Sequence, residues 1–236
     1  MSSRPLYQTG LLGPLAEQLI EAAGIGRGMR VVDVLGDAGV LTRHVAMAVG
    51  PSGSVVTVVV GDAAARALHQ ELQESRATAE VVVASPGALP YQQREFDVAV
   101  SLLRLTGSVG SVALREMERV AHHAAVIVTA ARRPAPEDLL AGAWQDATGT
   151  VPPALQALPS PPPPQGWTST TIGDVARFDS AQQLWMALCD HLGIRAPDAE
   201  AATVRRRFDE RLAPFQGADG TLRIPIEVVL LRRDAE

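Results

Sequence analysis

Apolar positions along this chain follow two alternating periods. Short, nearly unbroken apolar runs fall at residues 30–35, 54–60, 79–84, 98–103 and 124–130. They are rich in valine and show no polar alternation, which predicts parallel strands covered on both faces. Between them, apolar residues recur every three or four positions and predict helices at 40–49, 63–74 and 111–121. A helix at 11–23 precedes the first strand, with Leu11, Leu12, Leu15, Leu19, Ile20 and Ala23 on one face and Gly24 to end it. Strands and helices alternating at this spacing predict an α/β fold with a doubly wound parallel sheet.

Beyond the fifth strand the pattern changes. A helix is predicted at 136–147, then a proline-rich tract at 150–164 that ends in four consecutive prolines, Pro161 to Pro164. Such a tract favours an extended, poorly packed connector. A strand at 167–178, helices at 180–192 and 198–212, and a long last strand at 221–232 complete the chain. The last strand is expected antiparallel beside the fifth, with Pro225 at an edge or bulge. The organisation expected is a core at 1–149, a connector at 150–166, and sheet strands with inserted lid helices at 167–236, together one domain.

Composition narrows the chemistry. At 236 residues and 47% hydrophobic content the chain can bury a sizeable core. Net charge is -5, and all 21 basic residues are arginine. A mildly acidic chain without a basic block argues against nucleic acid as partner. The single cysteine, Cys189, excludes an internal disulfide and a multi-cysteine zinc site. The first residues lack the apolar core of a signal peptide, and no apolar run reaches membrane-spanning length, so the expectation is a cytoplasmic protein with no membrane partner.

The stretch from Met29 to Thr42 organises the rest: a buried strand, a turn containing Gly36 and Gly39, and the opening of a helix. In a doubly wound sheet this first strand–turn–helix is where an anionic or nucleotide-like ligand sits.

From Tyr7 to Arg233 the order resembles the class I S-adenosylmethionine-dependent methyltransferases, especially small-molecule enzymes of bacterial metabolism. Val31-Val32-Asp33-Val34 is similar to that family's first strand, and Ala88-Leu89-Pro90-Tyr91 to its segment after strand three. Residues 96–101 resemble the start of strand four, and 114–120 the helix that follows. The resemblance implies a Rossmann-like doubly wound sheet of seven strands, the last antiparallel, with extra lid helices. It is far more specific for fold than for reaction.

Three departures fall on one ligand. The family's first turn reads Asp-x-Gly-x-Gly-x-Gly, whereas Asp33, Leu35, Asp37 and Gly39 occupy those positions here, with Gly36 between them. Leu and Asp add side chains where the methionyl part of the cofactor would lie. At the end of strand two the family keeps an acidic acceptor for both ribose hydroxyls, and this chain has Val59, with Asp62 three residues later. Two buried hydroxyls left without an acceptor would cost roughly 1–3 kcal/mol each, or about two to four decades in affinity together. After strand three, Ser85 stands where an Asp usually contacts the adenine amino group.

The resemblance and its departures imply a methyltransferase-like protein of secondary metabolism with an impaired S-adenosylmethionine site. The leading expectation is a cofactor-independent cyclase or isomerase acting on a polyketide-like small molecule. Two alternatives stay open: an active S-adenosylmethionine-dependent methyltransferase, and a non-catalytic homologue that acts as a homodimer or beside a homologous partner. The cofactor is accordingly none or S-adenosylmethionine. From family topology the residues expected to act are Tyr7, Arg104 and Arg132, with Tyr91, Thr106, Trp144 and Trp185 lining the substrate pocket. No metal is expected: His122-His123 reads as a surface turn, His44 and His69 as solvated helix residues, and Cys189 with His191 as lid core. Arg205-Arg206-Arg207 is flanked by acids and reads as a salt-bridged helix face.

Overall fold

The computed structural model describes residues 8–36, 39–129, 136–156, 160–192 and 198–233. A turn of π-helix at Gln8–Leu12 leads into α1 (Gly13–Ala22). There follow β1 (Arg30–Val34), α2 (Val40–Val49), β2 (Ser54–Val59), α3 (Asp62–Ser75), β3 (Glu80–Val83), β4 (Phe96–Leu102), α4 (Gly107–Val120) and β5 (Ala121–Thr129). Then come α5 (Pro136–Thr148), β6 (Thr168–Phe178), α6 (Ala181–Leu192), α7 (Asp198–Leu212) and β7 (Leu222–Arg233). The elements match the expected order, with ends displaced by a few residues.

One seven-stranded sheet runs β3-β2-β1-β4-β5-β7-β6. β1 pairs in parallel with β2 and with β4, β2 with β3, and β4 with β5. β7 lies antiparallel to β5 from Ala124↔Arg233 to Thr129↔Val228, so Pro225 falls before that ladder begins and removes no bond from it. Strand order reverses between β1 and β4, which makes their carboxyl ends the topological switch point.

The described residues form two compact units. One comprises residues 12–130, 159–172 and 228–236, and holds the parallel sheet with its helices; the other comprises 1–11, 131–158 and 173–227. The sheet unit's core joins Val32, Val34, Val56, Val58 and Ala99 to Ala113, Leu114, Met117 and Val120 of α4. In the second unit α5 meets α7 and α6 meets α7. Trp185 packs its ring 5.7 Å from Phe208, with the Arg205 guanidinium 5.3 Å from the Trp185 ring.

The proline tract is docked at one end and open in the middle, with Pro162 and Pro163 exposed. Pro161 is buried against Gly110 of α4, where a β-carbon would lie 3.0 Å from the Pro161 ring. Trp167 is buried in the sheet unit's core. The stiff proline backbone loses little freedom on docking, and glycine supplies the flat surface that receives it. Among the described residues no helix is long and apolar enough to cross a membrane, and no group of three His, Cys, Asp or Glu side chains is placed to hold a metal.

Candidate functional site

The turn after β1 is held from beneath by a buried polar chain. Thr57 of β2 donates its hydroxyl to Thr42 of α2 at 3.2 Å, and Thr42 donates to the Asp33 carboxylate of β1 at 2.7 Å. All three side chains are fully buried. Gly36 closes over them; a β-carbon there would run into the Asp33 carboxylate and the Thr57 methyl. Gly39 precedes α2 with a left-handed φ of 69°. The strand–turn–helix expected from the sequence is therefore built, with Asp33 as the buried acceptor under the turn. Asp37 lies outside the described residues.

The lips of the switch point are aliphatic. Leu35 follows β1 at φ 68° and Leu103 follows β4 at φ 55°. A non-glycine residue in this region carries a strain of roughly 1–2 kcal/mol. Leu35 donates its N–H to the Val58 carbonyl of β2, whereas Leu103 donates to the Ile127 carbonyl of β5. Beneath these residues the Ser101 hydroxyl of β4 donates to the Val34 carbonyl of β1 at 2.7 Å and ties the two strands together. For Leu35 the sequence carried a signal, the glycine that the resembled family keeps at that position; for Leu103 it carried none, because propensity and spacing hold no record of φ at one residue.

At the end of β2, Val59 is fully buried and packs with Ala65, Leu68 and Leu72 of α3. The register Val34↔Val58 carries β2 to Val59 without a slip. Asp62 begins α3 and is exposed. Val60 is 59% exposed at the same edge. Ser85 accepts the Gly87 N–H on its hydroxyl at 3.3 Å and the Ala88 N–H on its carbonyl at 3.1 Å, so its polar groups close their own turn.

The other expected residues scatter. Arg104 is exposed and Thr106 is the residue before α4, so both follow β4 at the carboxyl edge. Tyr91 is a correction: its ring stands edge-on to Phe96 at 4.8 Å, beside the first residue of β4, a strand's length from the switch point. Burial there pushes its phenol up, with Glu80 and Glu95 adding and Arg30 opposing. Trp144 and Trp185 belong to the second unit, where Trp144 is buried in α5 and Trp185 packs on Phe208 of α7. Tyr7 and Arg132 lie outside the described residues. His122 and His123 begin β5 and are exposed at its amino end, in the strand rather than in a turn.

Two further features escaped the sequence. A groove of about 1020 Å³ lies at the amino edge of β1 and β2, opposite the switch point, lined by Arg30, Arg43, His44, Met47, Arg76 and Glu80 among others. At the head of α5 the half-buried Glu137 carboxyl is pushed up to about 7 by desolvation, with Asp138 adding to the shift.

No family model matches the chain. Over 104 residues it is 35% identical to the ubiquinone/menaquinone biosynthesis C-methyltransferase UbiE of Ectopseudomonas mendocina, covering 43% of this chain and 41% of that protein. The UbiE of Idiomarina loihiensis is 34% identical over 106 residues, with the same shares. The match thus spans about two fifths of the length of these curated relatives. Among solved structures, the YcgJ protein from Bacillus subtilis superposes with a TM-score of 0.59 at 13% identity, covering 94% of this chain and 98% of that one. The [4+2]-cyclase SpnF superposes with a TM-score of 0.55 at 14% identity, covering 95% of this chain and 82% of that one. Sheet order, switch point and relatives agree: the chain is built on the α/β fold of the class I S-adenosylmethionine-dependent methyltransferases.

Proposed function

We propose that this chain is an enzyme that has abandoned the cofactor of its fold and rearranges a polyketide-like small molecule, as a cyclase or isomerase. The observation that carries the reading is Val59. The residue at the ribose position is an aliphatic side chain packed with Ala65, Leu68 and Leu72, and the next carboxylate along the chain, Asp62, stands three residues on at the start of α3. Leu35 in the glycine position of the turn and the uncharged Ser85 in the Asp position point the same way. On this reading the groups at the end of β1, β2 and β3 do not fit S-adenosylmethionine.

A rearrangement within one bound molecule needs no atom from outside. In a cycloaddition, π bonds of the substrate become σ bonds of the product, and no proton or electron pair leaves. What the protein supplies is a shaped, water-poor crevice that holds the reacting ends together. Of the residues expected to act, Arg104 is exposed just after β4, and its cation suits a substrate carbonyl whose oxygen gains electron density. The solved cyclase on the same fold supports the class of reaction.

Calorimetric titration with S-adenosylmethionine and S-adenosylhomocysteine tests the reading. No heat is expected up to millimolar ligand. Micromolar binding would overturn it in favour of the second reading, a cofactor-dependent methyltransferase, which the C-methyltransferase relatives favour.

A further inference from the structure

We infer that the groove at the amino edge of β1 and β2 binds the phosphate groups of a small molecule through Arg43, Arg76 and His44. Its lining residues all belong to the sheet unit, and its volume of about 1020 Å³ is that of a small-molecule site. It lies at the opposite end of the strands from the switch point, so the inference stands apart from the reaction proposed above. Strand alternation divides its charges between the two faces of the sheet. The registers Arg30↔Ser54 and Val56↔Glu80 set Arg30 and Glu80 on the face of Val32, Val56 and α4. There Arg30 is already held by Glu95 at 2.9 Å. The other face carries α2 and α3, joined by the pair of Arg43 with Glu71. On it the groove is lined by Arg43, His44, Met47 and Arg76, and Glu80, the one carboxylate among the lining residues, points away.

Three groups on that face are not spent. Arg43 approaches Glu71 only to 3.5 Å, and its Nε is buried without a hydrogen-bond partner. A buried donor left open is a cost that an acceptor entering the groove removes. Arg76, the residue after α3, is exposed and makes no side-chain ion pair among the described residues. His44 donates its Nδ1 proton to the Val40 carbonyl at 2.7 Å, which leaves Nε2 uncommitted and able to donate to an anion once the ring is protonated. Two guanidinium forks suit an anion with several oxygens and more than one charge, as phosphate groups supply. A carboxylate, with one charge and two oxygens, would only repeat what Glu71 does for Arg43. The uncharged part of the ligand meets Ala46, Met47 and Pro51; Met47 stands one turn after Arg43 on α2 and is 70% exposed. The site is concave, which suits a free molecule rather than a flat lipid surface.

The test is calorimetric titration of the full chain with inorganic pyrophosphate at constant ionic strength. The wild type is expected to bind saturably in the submillimolar range. Arg43→Gln and Arg76→Gln are each expected to weaken binding about tenfold, and the double variant to abolish it. Arg206→Gln, which removes a cation from the salt-bridged face of α7, is expected to change nothing. Arg76 has no ion pair to lose, so Arg76→Gln keeps its melting midpoint and decides the matter if Arg43→Gln unfolds. A wild type without saturable heat up to about 10 mM, or a folded Arg76→Gln that binds as the wild type does, would overturn the inference. So would equal weakening by Arg206→Gln, which would show diffuse attraction of charges and no site. Vesicles of phosphatidylcholine and phosphatidic acid are expected not to carry the chain down on sedimentation. Sedimentation that is lost in Arg76→Gln would put the phosphate on a lipid and overturn the small-molecule assignment.

Discussion

At the scale of single residues, the turn after β1 keeps its frame and changes its lining. Asp33, Thr42 and Thr57 tie β1, α2 and β2 together through two buried hydroxyl bonds. Thr42→Val would remove a donor from a buried carboxylate while preserving shape, and is expected to cost about 1–3 kcal/mol in urea unfolding. Val59 raises the opposite question, whether cofactor binding could be restored by writing back an acid. Its side chain has no solvent exposure and packs with Ala65, Leu68 and Leu72 of α3, so a carboxylate there would be buried against aliphatic groups. Val59→Asp is expected to destabilise by about 3 kcal/mol at pH 7 without producing S-adenosylhomocysteine binding. Micromolar binding by that variant would mean that one residue had closed the site. The identity of the departing residues was legible in the sequence, since a Leu, a Val and a Ser stood where the family keeps Gly, acid and Asp. Their physical state was not. That Val59 faces the core, that Ser85 bonds its own turn and that Leu103 joins Leu35 in left-handed backbone are outcomes of tertiary packing.

At the scale of elements, the segments that carried the resemblance turn out to touch. Glu116 of α4 accepts the Leu89 N–H at 2.8 Å, and Arg119 donates to the Tyr91 carbonyl at 2.7 Å and the Leu89 carbonyl at 3.0 Å. Arg119 and Glu116 also pair with each other at 2.7 Å. Residues 88–91 and 114–120 are thus two halves of one clamp between a loop and a helix, which is why they report fold and not reaction. It also explains the misplaced Tyr91, whose carbonyl the clamp binds at the amino edge of the sheet. Arg119→Ala is expected to cost about 1–3 kcal/mol, because two carbonyls and a carboxylate lose their donor together. The proline tract gives the second element-level expectation. Gly110→Leu would drive a side chain into Pro161 and lift the segment that carries Trp167. Chymotrypsin cleavage after Trp167, slow in the wild type because that residue is buried, should accelerate, with a red shift in its fluorescence. Strand and helix positions were readable because each has a strong period. The docking of the tract was not, because prolines in a row look alike whether packed or free.

At the scale of the molecule, pH couples stability to carboxyls in different units. Glu116, in the sheet unit, is held below the usual carboxylate range first by its hydrogen bond from Arg119, although burial opposes this. Its contribution is present above its unfolded value and is lost as pH falls through the folded one. Glu137, in the second unit, is displaced the other way, to about 7. Between its ordinary value of 4.5 and about 7 the folded chain binds more protons there than the unfolded chain, so stability falls as pH rises through that window. Glu137→Gln removes the titration and keeps the shape. The variant is expected to melt above the wild type at pH 8 and to match it at pH 4, where both carry a neutral side chain. Arg119→Ala should lose only the Glu116 share of its cost, and only as pH falls below 4.5 through the lowered folded value of Glu116, because the two carbonyls need their donor at any pH. If unfolding shows two transitions, the Glu137 effect should appear only in that of residues 131–158 and 173–227, and the Arg119 effect only in the other. Equal midpoints for Glu137→Gln and wild type at pH 8 would mean that the carboxyl ionises normally at the head of α5. A rise there would mark a carboxyl that burial keeps partly protonated near neutrality, against the dipole of the helix start, which favours its ionised form.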